Sequence, residues 1–175
     1  MCALETVTTM YQEFAQAYAN SKVTIWSPTG KVIATQARAG DETSSGSISE
    51  LLDAQELFVI TAWNPESVEL TAKENLRANQ ELLAELQGLG YKILRARGSS
   101  VDEAWFEDSF AAFASSAAIA GELEVHIHAL AIKYRQNAYF KITADTLEVA
   151  GALYSDLRIS MPLVLEWSSI SDGNH

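Results

Sequence analysis

Four short segments of the chain hold the residue types that do chemistry: Asn64-Pro65, Arg97-Gly98, Trp105-Phe106-Glu107-Asp108-Ser109 and Arg135-Gln136-Asn137. A carboxylate set among amides and an arginine can orient a small polar ligand, while a tryptophan can pack against it. Glu107 stands out because it opens an otherwise apolar run through Phe110 and Phe113, and it is the candidate catalytic group. The candidate ligand-binding residues are Asn64, Asn75, Asn79, Arg97, Trp105, Ser109, Gln136 and Asn137. Asn75 and Asn79 lie four apart and so share one helix face. Each residue also has a plainer reading: Asn64-Pro65 as a turn, Trp105 as a packing residue, and Glu107 as the ion-pair partner of Arg97 or Arg95.

Other chemistries find little support. Cys2 is the only cysteine, which rules out an intrachain disulfide or a Cys-rich metal site. His126 and His128 are two apart on a predicted helix and face different ways, and His175 is the last residue. No H-E-x-x-H, Walker A, G-x-G-x-x-G or G-x-S-x-G pattern occurs. No metal and no cofactor is expected.

The elements that must position these residues follow from pattern. Leu4, Val7, Tyr11, Phe14 and Tyr18 predict a helix over 4–19. Val23–Trp26 and Lys31–Gln36 flank a Ser-Pro-Thr-Gly turn and predict a hairpin. The small polar stretch 38–47 reads as a loop, and Ile48–Leu57 as a short helical turn. Phe58–Trp63 reads as a strand. A helix follows, opened by the T-x-x-E capping box of Thr71 and Glu74 and stopped at Gly88 and Gly90. Tyr91–Ala96 reads as the next strand, broken by Arg97-Gly98-Ser99-Ser100, and Phe106–Phe113 contains a third. A helix from Ser115-Ser116 to Tyr134, a strand Ala138–Thr143, a hairpin return over Leu147–Ala150 and a strand Leu157–Leu163 complete the chain.

The body is thus β-α-β-β-α-β, which predicts an α+β, ferredoxin-like sandwich with an N-terminal helix plus hairpin and extra C-terminal strands. The chain reads as one domain: helix and hairpin over 1–37, a linker over 38–56, a core over 57–150, and a strand and tail over 151–175. Strand directions in that topology place all four polar segments on one edge of the sheet.

Composition narrows the partners. A net charge of −11, with no cluster of Lys and Arg, disfavours nucleic acid. No apolar stretch approaches the roughly 20 residues of a membrane span. Without a basic-then-apolar leader, the expected location is the bacterial cytoplasm.

The motifs, taken together, resemble a family of bacterial proteins known as domain of unknown function 3293. The matching run is Thr61–Pro65 (TAWNP), Glu74, Asn75 and Asn79, Gly90-Tyr91, Ala96–Ser99, Trp105–Phe110 (W-x-EDSF) and Gln136–Phe140 (QNAYF). It covers roughly residues 57–150. The chain departs from that pattern where an aspartate-glycine turn precedes the tryptophan, having Asp102-Glu103-Ala104, and where a glycine precedes the Gln-Asn pair, having Arg135. Both departures bear on loop geometry. The family brings no activity with it. A fainter resemblance, to phage S-adenosylmethionine lyases, rests on Glu107 and Gln136 and would imply a carboxylate holding a sulfonium.

Three functions remain open at this point. One is a domain binding a small polar metabolite at the edge. Another is an enzyme in which Glu107 acts on, or stabilises, a cationic substrate. The third is a protein-interaction module, with homo-oligomers formed through open sheet edges.

Overall fold

The computed structural model describes residue 13 and residues 16–18, 20–36 and 44–169. The helix expected over 4–19, Cys2 and His175 therefore fall wholly or mostly outside the described residues.

Among residues 20–36 and 44–169, eight strands and three α-helices succeed one another: β1 (Ser21–Trp26), β2 (Gly30–Gln36), α1 (Ile48–Leu52), β3 (Glu56–Ile60), α2 (Ala72–Gly88), β4 (Lys92–Ser100), β5 (Phe106–Ala114), α3 (Ala117–Lys133), β6 (Ala138–Ile142), β7 (Thr146–Gly151) and β8 (Arg158–Ser169). A short 3-10 turn, Pro65–Ser67, links β3 to α2. The strands form one closed barrel in the order β1-β2-β8-β7-β6-β3-β5-β4, with every neighbouring pair antiparallel.

Closure corrects the expected fold. The strands β4-β5-β3-β6 are neighbours and carry two helices, but they form half of a β-barrel and not an open ferredoxin-like α+β sandwich. The cause lies in β4. Arg97-Gly98-Ser99-Ser100 does not break it, because those residues pair with β1 on one side and β5 on the other, Gly98 lying opposite Val23 and Glu107. β8 likewise runs past Leu163 to Ser169 and pairs with the whole of β2. Each described strand therefore has two neighbours, and the sheet offers no free edge for strand addition among the described residues.

Two apolar cores share the barrel wall. The inner core fills the barrel with Val23, Ile25, Val32, Leu57, Val59, Phe113, Ile142, Leu147 and Val149 among others. The alternation of β1 and β2, with Val23, Ile25, Val32 and Ala34 pointing inward, follows from the two-residue period of a strand. The outer core lies under α2 and α3, where Leu82, Leu86, Leu123 and Ile127 meet Phe58, Ile60 and Ala112. β3 and β5 are covered on both faces, and for that reason their sequences, ELFVI and FEDSFAAFA, are largely continuous apolar runs instead of alternating ones.

The helices begin where the sequence indicates. Thr71 and Glu74 complete a capping box at α2, and Ser116 caps α3. α3 runs unbroken through Gly121. α1 is capped by Ser47 and puts Ile48 and Leu52 into the inner core, while Ser44 and Ser45 bond the backbone of β8. None of the helices among the described residues is long and apolar enough to cross a membrane.

Candidate functional site

One end of the barrel gathers the C-terminal ends of β2, β3, β4 and β7 and the starts of β1, β5, β6 and β8. All four segments singled out from the sequence meet there. Along β5 the pleat sends Ser109, Ala111 and Phe113 inward and Phe110 and Ala112 outward, so Glu107 enters the barrel mouth.

The carboxyl group of Glu107 sits in a recess of about 70 Å³, with Thr61, Ser109, Gly98, Phe140 and Tyr18 around it. That is room for a few water-sized groups. A Cβ on Gly98 would lie 3.8 Å from the Phe140 ring, so the missing side chain leaves the space beside Glu107 open. Beyond Glu107 an open groove of about 640 Å³ runs between Trp63, Leu70, Trp105 and Phe106. Asn64, Ser67, Trp105 and Glu107 line both spaces and form the neck between them.

Burial lifts the Glu107 carboxyl to about 7, against the opposing pull of Asn64. Asn64 Nδ2 donates to Glu107 Oε1 at 3.1 Å. Tyr18 stacks edge-on against Phe140, with ring centroids 5.8 Å apart. Its phenol is raised, first by burial and then by the charges of Glu107 and Tyr154.

The polypeptide around Asn64 is held by a dense set of bonds. Asn64 Oδ1 accepts from Leu70 N and Asn75 Nδ2, and Asn64 N donates to Asn75 Oδ1. Asn79 Oδ1 accepts from Ala62 N at 2.8 Å and its Nδ2 donates to the Asp108 carbonyl at 2.7 Å. Thr61 Oγ1 donates to the same carbonyl. Asn75 and Asn79 continue the buried stripe of α2 through Leu82 and Leu86. They clamp the β3–α2 connection to the barrel; Asn75 reaches the groove wall, and Asn79 touches neither space.

Gln136 and Asn137 line the recess and also donate to the protein. Gln136 Nε2 donates to the Trp63 and Tyr134 carbonyls, and Asn137 Nδ2 to Ser67 Oγ. Ser109 Oγ donates to the Glu107 carbonyl. Trp63 Nε1 is buried without an acceptor, the one side-chain donor so placed among the described residues. Non-glycine residues with positive φ gather here too: Asn64 at 45°, Glu66 at 55°, Ser67 at 60° and Arg135 at 55°. Such conformations cost of order 1–3 kcal/mol each and collect at functional sites.

Arg97 is not part of the recess. With Gly98 turned inward its neighbour must face out, where Nη2 and Nε contact Asp108 Oδ1 at 2.7 and 2.9 Å. Its guanidinium lies 4.2 Å from the centre of the Phe106 ring. The expected pairing of Arg97 or Arg95 with Glu107 is thus replaced by Arg97–Asp108, and Arg95 lies over the Trp26 ring. Tyr18, Thr61, Ser67, Gly98 and Phe140 line the recess and were not among the candidate site residues. Thr61 had a signal, being the first residue of TAWNP, whereas Tyr18 reaches the site only through tertiary packing. No group of three or more metal-ligating side chains exists among the described residues.

Comparison with curated proteins and with solved structures gives no significant match, so the faint likeness to phage lyases gains nothing from it. Residues 60–139, which span the turn from β3 through the start of β6 and carry almost every residue of the site, match the model of the family described as "Protein of unknown function (DUF3293)", the family that the motifs resemble.

Proposed function

We propose that the barrel mouth binds a small polar metabolite whose head group meets Glu107. The observation that carries this reading is a single carboxyl group, largely withdrawn from water, at the neck between a small recess and an open groove. Eight-stranded barrels have an interior just wide enough to hold one small ligand where side chains leave room. Gly98 leaves that room. Asn64, itself held by Asn75, bonds one carboxyl oxygen of Glu107 before any ligand arrives, which lowers the ordering cost of binding.

A thermal-shift screen of wild type and Glu107→Gln against amino acids, nucleotides and S-adenosylmethionine tests the reading. A ligand of the folded state raises Tm by mass action. The expected result is a concentration-dependent rise with one class of compound that the variant lacks. Equal shifts in the variant, or none with any class at about millimolar ligand, would overturn it.

A second reading, catalysis, is favoured by one particular: a carboxyl poised near neutrality is suited to accept and return a proton. Glu107 and Gln136 also share the recess, the pair on which the lyase likeness rests. Glu107-dependent consumption of S-adenosylmethionine, followed by chromatography, would support this reading; stable binding without turnover would leave the binding domain.

A further inference from the structure

Building on the reading of the Glu107 recess as a ligand site, we infer that the ligand is an organic cation: an amine or other onium group seated against Glu107, with an apolar body lying in the groove that Trp63, Leu70, Trp105 and Phe106 line.

Charge is the first argument. The ionisable side chains among the described residues lining the recess and groove are Glu69, Glu107, Tyr18 and Tyr139, and every one of them is an acid. The bases nearby are engaged elsewhere: Arg97 with Asp108 on the outer face, Arg135 with Glu66, and Lys22 with Glu103. An anionic head group would enter a space with no base to meet it.

Hydrogen-bond polarity is the second. Thr61, Ser109, Asn64, Gln136 and Asn137 all direct side-chain hydrogens at protein acceptors. Thr61, Ser109 and Gln136 have no hydrogen left over and present lone pairs to a guest. With the carboxyl of Glu107 these acceptors suit a donor-rich guest such as an ammonium group, while the remaining amide hydrogens of Asn64 and Asn137 and the indole N–H of Trp63 carry no charge to hold an anion.

The helix terminus is the third. The N-terminus of α2 borders the groove and would ordinarily favour an anion. Here the chain supplies its own: Glu74 accepts from the Thr71 backbone and hydroxyl, and these bonds hold its carboxyl below the usual range. Finally, Trp105 is 40% exposed at the groove, an aromatic surface of the kind that attracts cations through the negative face of the ring, while the Phe106 ring already carries Arg97.

Three probes that share one aromatic body separate the charge classes: 2-phenylethylamine, 2-phenylethanol and 3-phenylpropionate. Each is titrated into the full chain at about pH 8, with the Gly98 amide followed by NMR in wild type, Glu107→Gln and Trp105→Ala, and the Trp105 indole in the first two. Dispersed spectra establish that the variants fold, and Trp105 is exposed enough to be dispensable for packing. The amine is expected to shift both resonances saturably and to bind roughly tenfold more weakly in either variant. Tighter binding of the alcohol or the carboxylate would overturn the cation assignment while leaving the site in place. Silence from all three up to roughly 10 mM would overturn it as well, and the metabolite screen above then decides separately whether the site binds anything.

Discussion

Glu107 has a stability consequence that can be measured without knowing the ligand. Its carboxyl titrates near 7 in the folded protein and near 4.5 in the unfolded chain, because burial disfavours the charge. The folded state therefore binds the proton more tightly. The contribution is fully present below pH 4.5 and is lost as the pH rises through about 7, amounting to roughly 3 kcal/mol. The groups facing this carboxyl are Asn64 and Tyr18; Arg97 and Asp108 pair on the opposite face of the sheet. Glu107→Gln keeps an acceptor for Asn64 and removes the titration. Urea unfolding should find variant and wild type alike near pH 4.5 and the variant more stable near pH 8, by up to roughly 3 kcal/mol. A difference that does not vary with pH would mean that Glu107 is solvated.

At the scale of the element, the connection between β3 and α2 is over-determined by its bonds, and this holds its unfavourable backbone. Asn79 satisfies one backbone donor and one backbone acceptor inside the fold. Asn79→Ala should cost roughly 2 kcal/mol in denaturant unfolding, since both partners stay buried. The two loops where the chain departs from the DUF3293 pattern offer a cleaner test of strain. Glu103 and Arg135 stand near or at positions that carry glycine in that pattern, and both have positive φ, 59° and 55°. Arg135→Gly and Arg135→Ala lose the same exposed pair with Glu66, so their difference isolates the backbone. Arg135→Gly should be the more stable by about 1 kcal/mol in the same assay. Equal stability would show that the turn can relax without glycine. The meeting of the four polar segments was legible in the sequence for a physical reason: alternating strands and helices fix strand direction, and direction alone decides which ends lie together. The separate roles of the asparagines were not. A helix face at 75 and 79 looks the same whether its amides turn to a ligand or to the chain's own backbone.

For the whole molecule, the barrel wall belongs to two cores at once. Leu57 points into the barrel and Phe58, its neighbour on β3, into the layer beneath α2 and α3. Leu57→Ala and Phe58→Ala should each cost roughly 3–4 kcal/mol, and both should lower one cooperative transition seen alike by near-UV and far-UV circular dichroism. Two separated transitions would mean that the helices form a unit of their own. Closure itself was hidden from sequence reasoning. It depends on pairings such as Thr24 with Arg97 and Ala34 with Leu165, far apart in the chain and without a local signature. Arg97-Gly98-Ser99-Ser100 has the composition of a turn, and only the second neighbour on its other side makes it a strand. Once β4 is extended, an inward Gly98 and an outward Arg97 follow, and with them the open recess and the freedom of Glu107 from an arginine.

The most direct test of this account is the protonation midpoint of Glu107, read from its side-chain carboxyl carbon by NMR in protein labelled at glutamate, with Glu107→Gln identifying the resonance. The account predicts a midpoint near 7, about two and a half pH units above an ordinary glutamate. It predicts further that saturating 2-phenylethylamine moves the midpoint down, because a cation favours the charged carboxylate. A midpoint near 4.5 that the amine does not move would contradict it, placing Glu107 in open water and leaving the barrel mouth as a surface like any other.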